Sequence, residues 1–222
     1  MSMSQKKKMK KIKLFFKQII RIIVRFAIKL YFVVIYRVKV IGQENIPKNK
    51  KEPLIYCGNH RTYKDPPLIV VTAKRHVRFL AKEELRKNKF FAFLGVVFDG
   101  IYVKRDSKDL SAIKTTLKAL KNGESIALFP EGTRSKDGKI HEFKKGSGKI
   151  ATKPKVPIVP FVIKGTSACF EDNKKFIPGR IDIIFGEPIE TENLTRDEEK
   201  NITEIVYEKV ISLEKEIEKK NI

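Results

Sequence analysis

The chain has 222 residues, two cysteines and a formal net charge of +22. That length suits one α/β domain with an appendage and needs no disulfide or metal staple; two full domains would be cramped. Cys57 and Cys169 make no disulfide framework, and neither a CxxC pair nor a Cys/His cluster suggests zinc. A reducing compartment is implied, and His60, His76 and His141 stand too far apart for a local metal motif, so no metal is expected. Residues 1–50 carry 14 Lys/Arg against one acid, Glu44, so +13 of the excess lies in the first 50 residues. Charge on this scale repels itself and calls for an anionic partner or surface.

The amino-terminal run MSMSQKKKMKKIK is followed by an apolar stretch from Leu14 to Tyr36, interrupted by Lys17, Arg21, Arg25 and Lys29. It has no small-residue cleavage pattern and is expected to be retained. Its longest uncharged run, Leu30 to Tyr36, is far below the roughly 20 residues a spanning helix needs. Cations at every fourth position form one stripe of a helix, and Phe15, Phe16, Ile19, Ile20, Ile22, Ile23 and Phe26 cover the rest. The pattern predicts a helix lying in a membrane interface, with its cations on anionic headgroups. The plainer alternative is a helix packed on its own domain with a solvated basic edge. A nucleic-acid arm would not need so many isoleucines and phenylalanines, so no nucleic-acid partner is expected. The segment 1–46 is therefore read as a basic amphipathic unit and 47–222 as the α/β domain.

Beyond residue 47, short apolar runs alternate with helical patterns. Strands are predicted over 54–57, 77–80, 100–103, 125–129, 157–163 and 181–185. Asp65-Pro66 marks a helix start, with the aspartate as N-cap. Ser107 is expected to cap a helix carrying Leu110, Ile113, Leu117 and Leu120, ended by Asn122-Gly123. Thr195 to Glu198 reads as a capping box opening a last amphipathic helix. The fold class expected is α/β: a mixed, largely parallel sheet flanked by helices, preceded by the interfacial helical segment.

Three loops fall where strands end, the usual place for sites in such sheets. In NHRTYKDPP, His60 precedes the helix that Asp65 opens. On a continuous helix the two side chains would point about 140° apart, whereas a loop lets the carboxylate reach the imidazole and fix its tautomer. The same residues also read as a helix cap beside an unrelated histidine. In FPEGTRS, Gly132 permits a tight turn with exposed amides, Arg134 offers a fork suited to phosphate and Glu131 can accept from a polyol; an ordinary turn with a surface ion pair explains them equally. In IYVKR, Arg105 stands where an edge strand leaves the sheet, and a solvated charge is the simpler account.

These blocks together resemble the glycerolipid acyltransferases. NHRTYKD matches their HxxxxD signature, IYVKR the block ending in arginine, FPEGTRS the third block and VPIVPF, residues 156–161, the fourth, all in the family's order. Lys104 is one departure, standing where many members have aspartate. Bacterial 1-acylglycerol-3-phosphate acyltransferases are the most similar branch. The resemblance implies His60 as general base and Asp65 as its orienting partner, with Arg105, Glu131, Gly132, Thr133 and Arg134 binding the acceptor and Val156, Pro157 and Pro160 lining the acyl route. It also implies acyl-CoA or acyl-carrier-protein donors with no further cofactor, lysophosphatidic acid as acceptor, and a peripheral or monotopic place on the cytoplasmic face of an anionic membrane. Glycerol 3-phosphate, another lysophospholipid or a lyso-ornithine lipid remains open as acceptor, as does a non-catalytic membrane or nucleic-acid binding role. Cys57, three residues before His60, raises an acyl-enzyme route, against which nothing evident in the sequence lowers its pKa.

Overall fold

A computed structural model describes residues 3–104, 110–145, 147–166 and 178–219. Strands β1 (Lys39–Ile41), β2 (Ile55–Gly58), β3 (Val77–Lys82), β4 (Ile101–Val103), β5 (Ser125–Leu128), β6 (Ile158–Lys164) and β7 (Asp182–Phe185) form one seven-stranded sheet in the order β1-β7-β6-β2-β5-β3-β4. The five strands β6, β2, β5, β3 and β4 run parallel, while β7 is antiparallel to β6 and pairs in parallel with β1. Helices α1 (Met3–Tyr36), α2 (Asp65–Thr72), α3 (Lys89–Val97), α4 (Leu110–Lys121), α5 (Lys149–Thr152) and α6 (Arg196–Lys219) cover it. The mixed, largely parallel α/β sheet is the one expected from the alternating pattern.

Strand alternation sorts the core into two layers. Tyr56, Ala127, Val159, Phe161, Ile183 and Phe185 face a cluster shared with α1, α2 and α3. Ile55, Cys57, Ile126, Leu128, Ile158 and Ile184 face the opposite cluster, shared with α4, α5 and α6. Because both faces are covered, the central strands are apolar throughout, as parallel sheets require.

Two boundaries differ from expectation. The sheet takes in β1, which lies before the division expected at 46/47; three residues beginning with a cation, Lys39, carry too little periodicity to read as a strand. At α2 the aspartate is not the cap. Lys64 holds that position without a side-chain bond, and Asp65 turns its carboxylate back into the preceding loop. The capping box at α6 forms as predicted, with the Thr195 amide donating to Glu198 Oε2 at 2.8 Å and the Glu198 amide to Thr195 Oγ1 at 3.3 Å. Ser107 lies outside the described residues.

Helix α1 is the largest departure in side-chain placement. Three cations of the stripe turn onto the domain while Lys29 stays exposed: Lys17 and Arg21 both pair with Asp99, Arg21 Nε donates to the Val97 carbonyl and Arg25 to that of Arg75. His76 Nε2 completes the cluster, 3.3 Å from Asp99 Oδ2. Phe32 and Tyr36 anchor the carboxyl end in the core, while Ile22, Ile23, Phe26, Leu30 and Val34 are exposed. Docking through the polar stripe leaves the apolar one uncovered, the reverse of what a water-facing helix does. No helix among the described residues is long and apolar enough to cross a membrane.

Candidate active site

Strands β2 and β5 are parallel neighbours, so the loops leaving their carboxyl ends meet. Gly58 is what lets β2 approach β6 so closely: a Cβ there would sit 2.2 Å from the Phe161 carbonyl oxygen. Next to it the buried Asn59 side chain extends the ladder, donating to the Ile163 carbonyl at 2.9 Å and accepting from the Ile163 amide at 2.8 Å. The backbone entering His60 is thereby held to β6. His60 in turn accepts from the Ser135 amide at 2.8 Å, tying the loop to the one that follows β5.

The His60–Asp65 pair forms. Nδ1 lies 2.9 Å from Asp65 Oδ2, and that oxygen also accepts from the amides of Arg61 and Thr62 at 2.6 and 2.7 Å. Asp65 is fully buried, so the four-residue loop is wound around its carboxylate. An acceptor of this kind keeps the proton on Nδ1 and leaves Nε2 with its lone pair. Among the described residues Nε2 has no hydrogen-bond partner, and the ring lies against Phe129, centroids 4.4 Å apart. Arg61 pins the loop to α6 through a 2.8 Å bond to Glu214 Oε1.

His60 opens onto a pocket of about 600 Å³ at the carboxyl ends of β2, β3, β4 and β5. Its apolar walls come from Phe79, Leu80, Phe91, Leu94, Phe98 and Leu128. Cations border it: Lys82, Lys104, Arg134 and Lys144. Arg134 stacks its guanidinium 3.8 Å over the Tyr63 ring. The arrangement suits a ligand with an apolar body and an anionic end, placed beside a nitrogen able to accept a proton.

The remaining predicted residues divide. Gly132, Thr133 and Arg134 line the pocket with His60. Gly132 has the left-handed φ of 70° that its turn requires, but its amide is not open to a ligand, since it donates to the Phe129 carbonyl at 3.0 Å. Glu131 is no pocket residue: it is buried and accepts from the His60 amide at 2.7 Å and the His141 amide at 3.4 Å, fixing the histidine backbone. Burial raises its pKa above the ordinary glutamate value, against the lowering effect of those two amides. Arg105 lies outside the described residues.

Val156, Pro157 and Pro160 do not line the pocket. Val156 and Pro157 precede β6, at the amino ends of the parallel strands, opposite the site. Pro160 pairs with Cys57 inside the sheet, and its carbonyl accepts from Gly186 at 2.9 Å just where β6–β7 pairing stops. The apolar wall comes instead from β3 and α3. The run KFFAFLGVVF carried that signal, since Phe91, Leu94 and Phe98 share one helical face. Cys57 is buried, and desolvation pushes its thiol up to about 12, which removes it as a nucleophile near neutral pH.

A histidine–aspartate pair at the rim of a parallel sheet, beside an apolar cavity with a cationic mouth, is an arrangement able to take a proton from the hydroxyl of an amphiphile. Residues 37–164 match the family model described as Acyltransferase. A 1-acyl-sn-glycerol-3-phosphate acyltransferase of Borreliella burgdorferi is 34% identical over 178 residues, 79% of this chain and 70% of its own length. One from Saccharomyces cerevisiae is 34% identical over 197 residues, 81% of this chain and 60% of its own length. The crystal structure of the 1-acyl-sn-glycerophosphate (LPA) acyltransferase PlsC from Thermotoga maritima superposes with a TM-score of 0.79 at 32% identity, covering 91% of this chain and 81% of that one. The chain belongs to the acyltransferase family and is an acyl-transfer enzyme.

Proposed function

We propose that the protein moves a fatty acyl group from a thioester, acyl-CoA or acyl carrier protein, to the sn-2 hydroxyl of lysophosphatidic acid, giving phosphatidic acid for phospholipid synthesis. The observation that carries the reading is the unpartnered His60 Nε2 facing a cavity that is apolar inside and cationic at its border. The names and identities of the relatives point to the same acceptor.

A glycerol hydroxyl is a poor nucleophile at neutral pH. His60 Nε2 takes its proton as the oxygen attacks the thioester carbonyl; Asp65, across the ring, stabilises the imidazolium. When the tetrahedral adduct collapses, the carbon–sulfur bond breaks and the same proton goes to the thiolate. Ester and thiol are formed with no cofactor. Arg134 supplies a fork for the acceptor phosphate, and Arg105 is proposed to join it. The acyl chains lie along Phe91, Leu94 and Phe98.

The enzyme works as a peripheral or monotopic protein on the cytoplasmic face of the membrane. Support comes from the contiguous exposed side chains of α1, Ile22, Ile23, Phe26, Leu30 and Val34, preceded by the lysine-rich run Lys6 to Lys13. The domain itself starts by β1, with the preceding helix as its membrane-seated part.

Purified protein incubated with radiolabelled lysophosphatidic acid and each donor should yield phosphatidic acid, and His60→Ala should abolish it. Equal product from the variant, or labelling only of glycerol 3-phosphate or another lysolipid when these compete, refutes the proposal.

A further inference from the structure

We propose that Lys144 and Ser147 form a phosphate subsite on the wall of the pocket, separate in sequence from all four motif blocks. The turn that carries them is hydrogen-bonded to the loop of the FPEGTRS block: the Lys144 amide donates to the Pro130 carbonyl and the Ser147 amide to the Lys144 carbonyl, each at 3.0 Å. The lysine side chain then crosses the face of Gly132. A Cβ at that glycine would sit 2.6 Å from both Cε and Nζ of Lys144, so the missing side chain is the space the ammonium occupies.

Neither polar group has a partner among the described residues. Among the described residues the Lys144 ammonium has no ion pair; of the loop's carboxylates, Glu131 is turned onto the His60 amide and Asp137 onto Ser135 and His141. Ser147 Oγ is buried and, among the described residues, has no hydrogen-bond partner. A buried hydroxyl without a partner is uncommon in native structures and calls for a ligand. Lys144 and Arg134 line the same cavity as Gly132, and two cations at one pocket favour an anion there. An ammonium acting as a point charge, joined by a hydroxyl donor, is chemistry suited to a phosphate.

The inference rests on the acyltransfer reading for its substrates, and two of these carry phosphate: the acceptor's monoester and the donor's nucleotide or phosphopantetheine groups. Steady-state kinetics on the full chain separate them, varying lysophosphatidic acid at saturating donor and then the donor at saturating acceptor. Lys144→Met should raise KM about tenfold in one of the two arms with kcat within twofold, and Lys144→Arg should restore it to within threefold. Ser147→Ala should raise the same KM about threefold while its Tm stays level or rises, since the substitution removes an unsatisfied polar group; a merely structural serine would lower Tm. Melting in inorganic phosphate against chloride at equal ionic strength gives a readout that needs no turnover: phosphate should raise the Tm of wild type and not of Lys144→Met. Unchanged KM in both arms, or a phosphate effect on Tm equal in both proteins, overturns the subsite. Wild type inactive on lysophosphatidic acid but with a Lys144-dependent phosphate shift would overturn the function proposed above and leave the subsite standing.

Discussion

Replacing Asp65 by asparagine separates the charge of the dyad from its geometry. The carboxylate oxygen nearest His60 is held by the amides of Arg61 and Thr62 at 2.6 and 2.7 Å. Those two donors select the amide oxygen of asparagine for that place, so Nδ1 keeps its acceptor and the tautomer is preserved. What is lost is one negative charge, 2.9 Å from the ring nitrogen and buried with no solvent exposure. Unit charges 4 Å apart interact by about 4 kcal/mol at an effective dielectric of 20. The oxygen already shares its charge with two amides, so the part specific to the imidazolium is about 2–3 kcal/mol on the same scale. At 1.36 kcal/mol per decade this is roughly a 30- to 150-fold fall in kcat. The assay is steady-state acylation of lysophosphatidic acid alongside a thermal melt, with Tm within a few degrees of wild type. A variant that melts like wild type and keeps kcat within threefold would refute the assigned role of the carboxylate.

Cys57→Ala should retain at least half of wild-type kcat, and thiol reagents should leave the native enzyme active, because the thiol is buried and held near 12; loss of activity in a folded Cys57→Ala would restore the acyl-enzyme route. Glu131→Ala leaves the His60 amide without its 2.7 Å acceptor, at a cost of about 1–3 kcal/mol, and should lower kcat more than it changes KM, with Glu131→Gln recovering most of the loss; an effect confined to KM for the acceptor would return Glu131 to substrate binding. Burial raises the pKa of Asp99, but hydrogen bonds from His76 and Lys17 and the charges of Arg21 and Lys17 outweigh it, so the folded value lies below the ordinary 3.8. A depressed carboxylate stabilises the fold above its unfolded pKa and loses that contribution as pH falls through the folded value. The Tm difference between wild type and Asp99→Asn should therefore be full at neutral pH and shrink below about pH 4; a difference that grows on acidification contradicts the sign. Ile23→Asp with Phe26→Asp should cut co-sedimentation with anionic liposomes at least tenfold at unchanged Tm, and unchanged binding would remove α1 from the lipid surface.

The alternation of apolar runs and helical spacing disclosed the central strands because each is buried on both faces, as Tyr56 and Cys57 of β2 are. The His60–Asp65 pairing was legible through the resemblance of NHRTYKD to the HxxxxD signature, whereas the residues alone read as readily as a helix cap beside an unrelated histidine. Glu131 was misread because a glutamate in a strand-end loop reads as an exposed acceptor, and only the register of β5 beside β2 shows that it faces the His60 amide. The prolines of VPIVPF were misplaced because sequence order does not say which end of a strand faces the site. The cations of α1 were legible as a stripe but not in direction, since their partner Asp99 lies 78 or more residues further along the chain.

Helix α1 leads into β1 at one margin of the sheet and is clamped at mid-length to Asp99, two residues before β4, which forms the other margin. The rod is fastened to the platform at two separated places. Whatever plane the rod lies against, the tilt of the platform, and with it the direction in which the mouth beside His60 looks, follows from those two attachments. Approach of a substrate would then be governed by a fixed angle of presentation rather than by reorientation of one part against another.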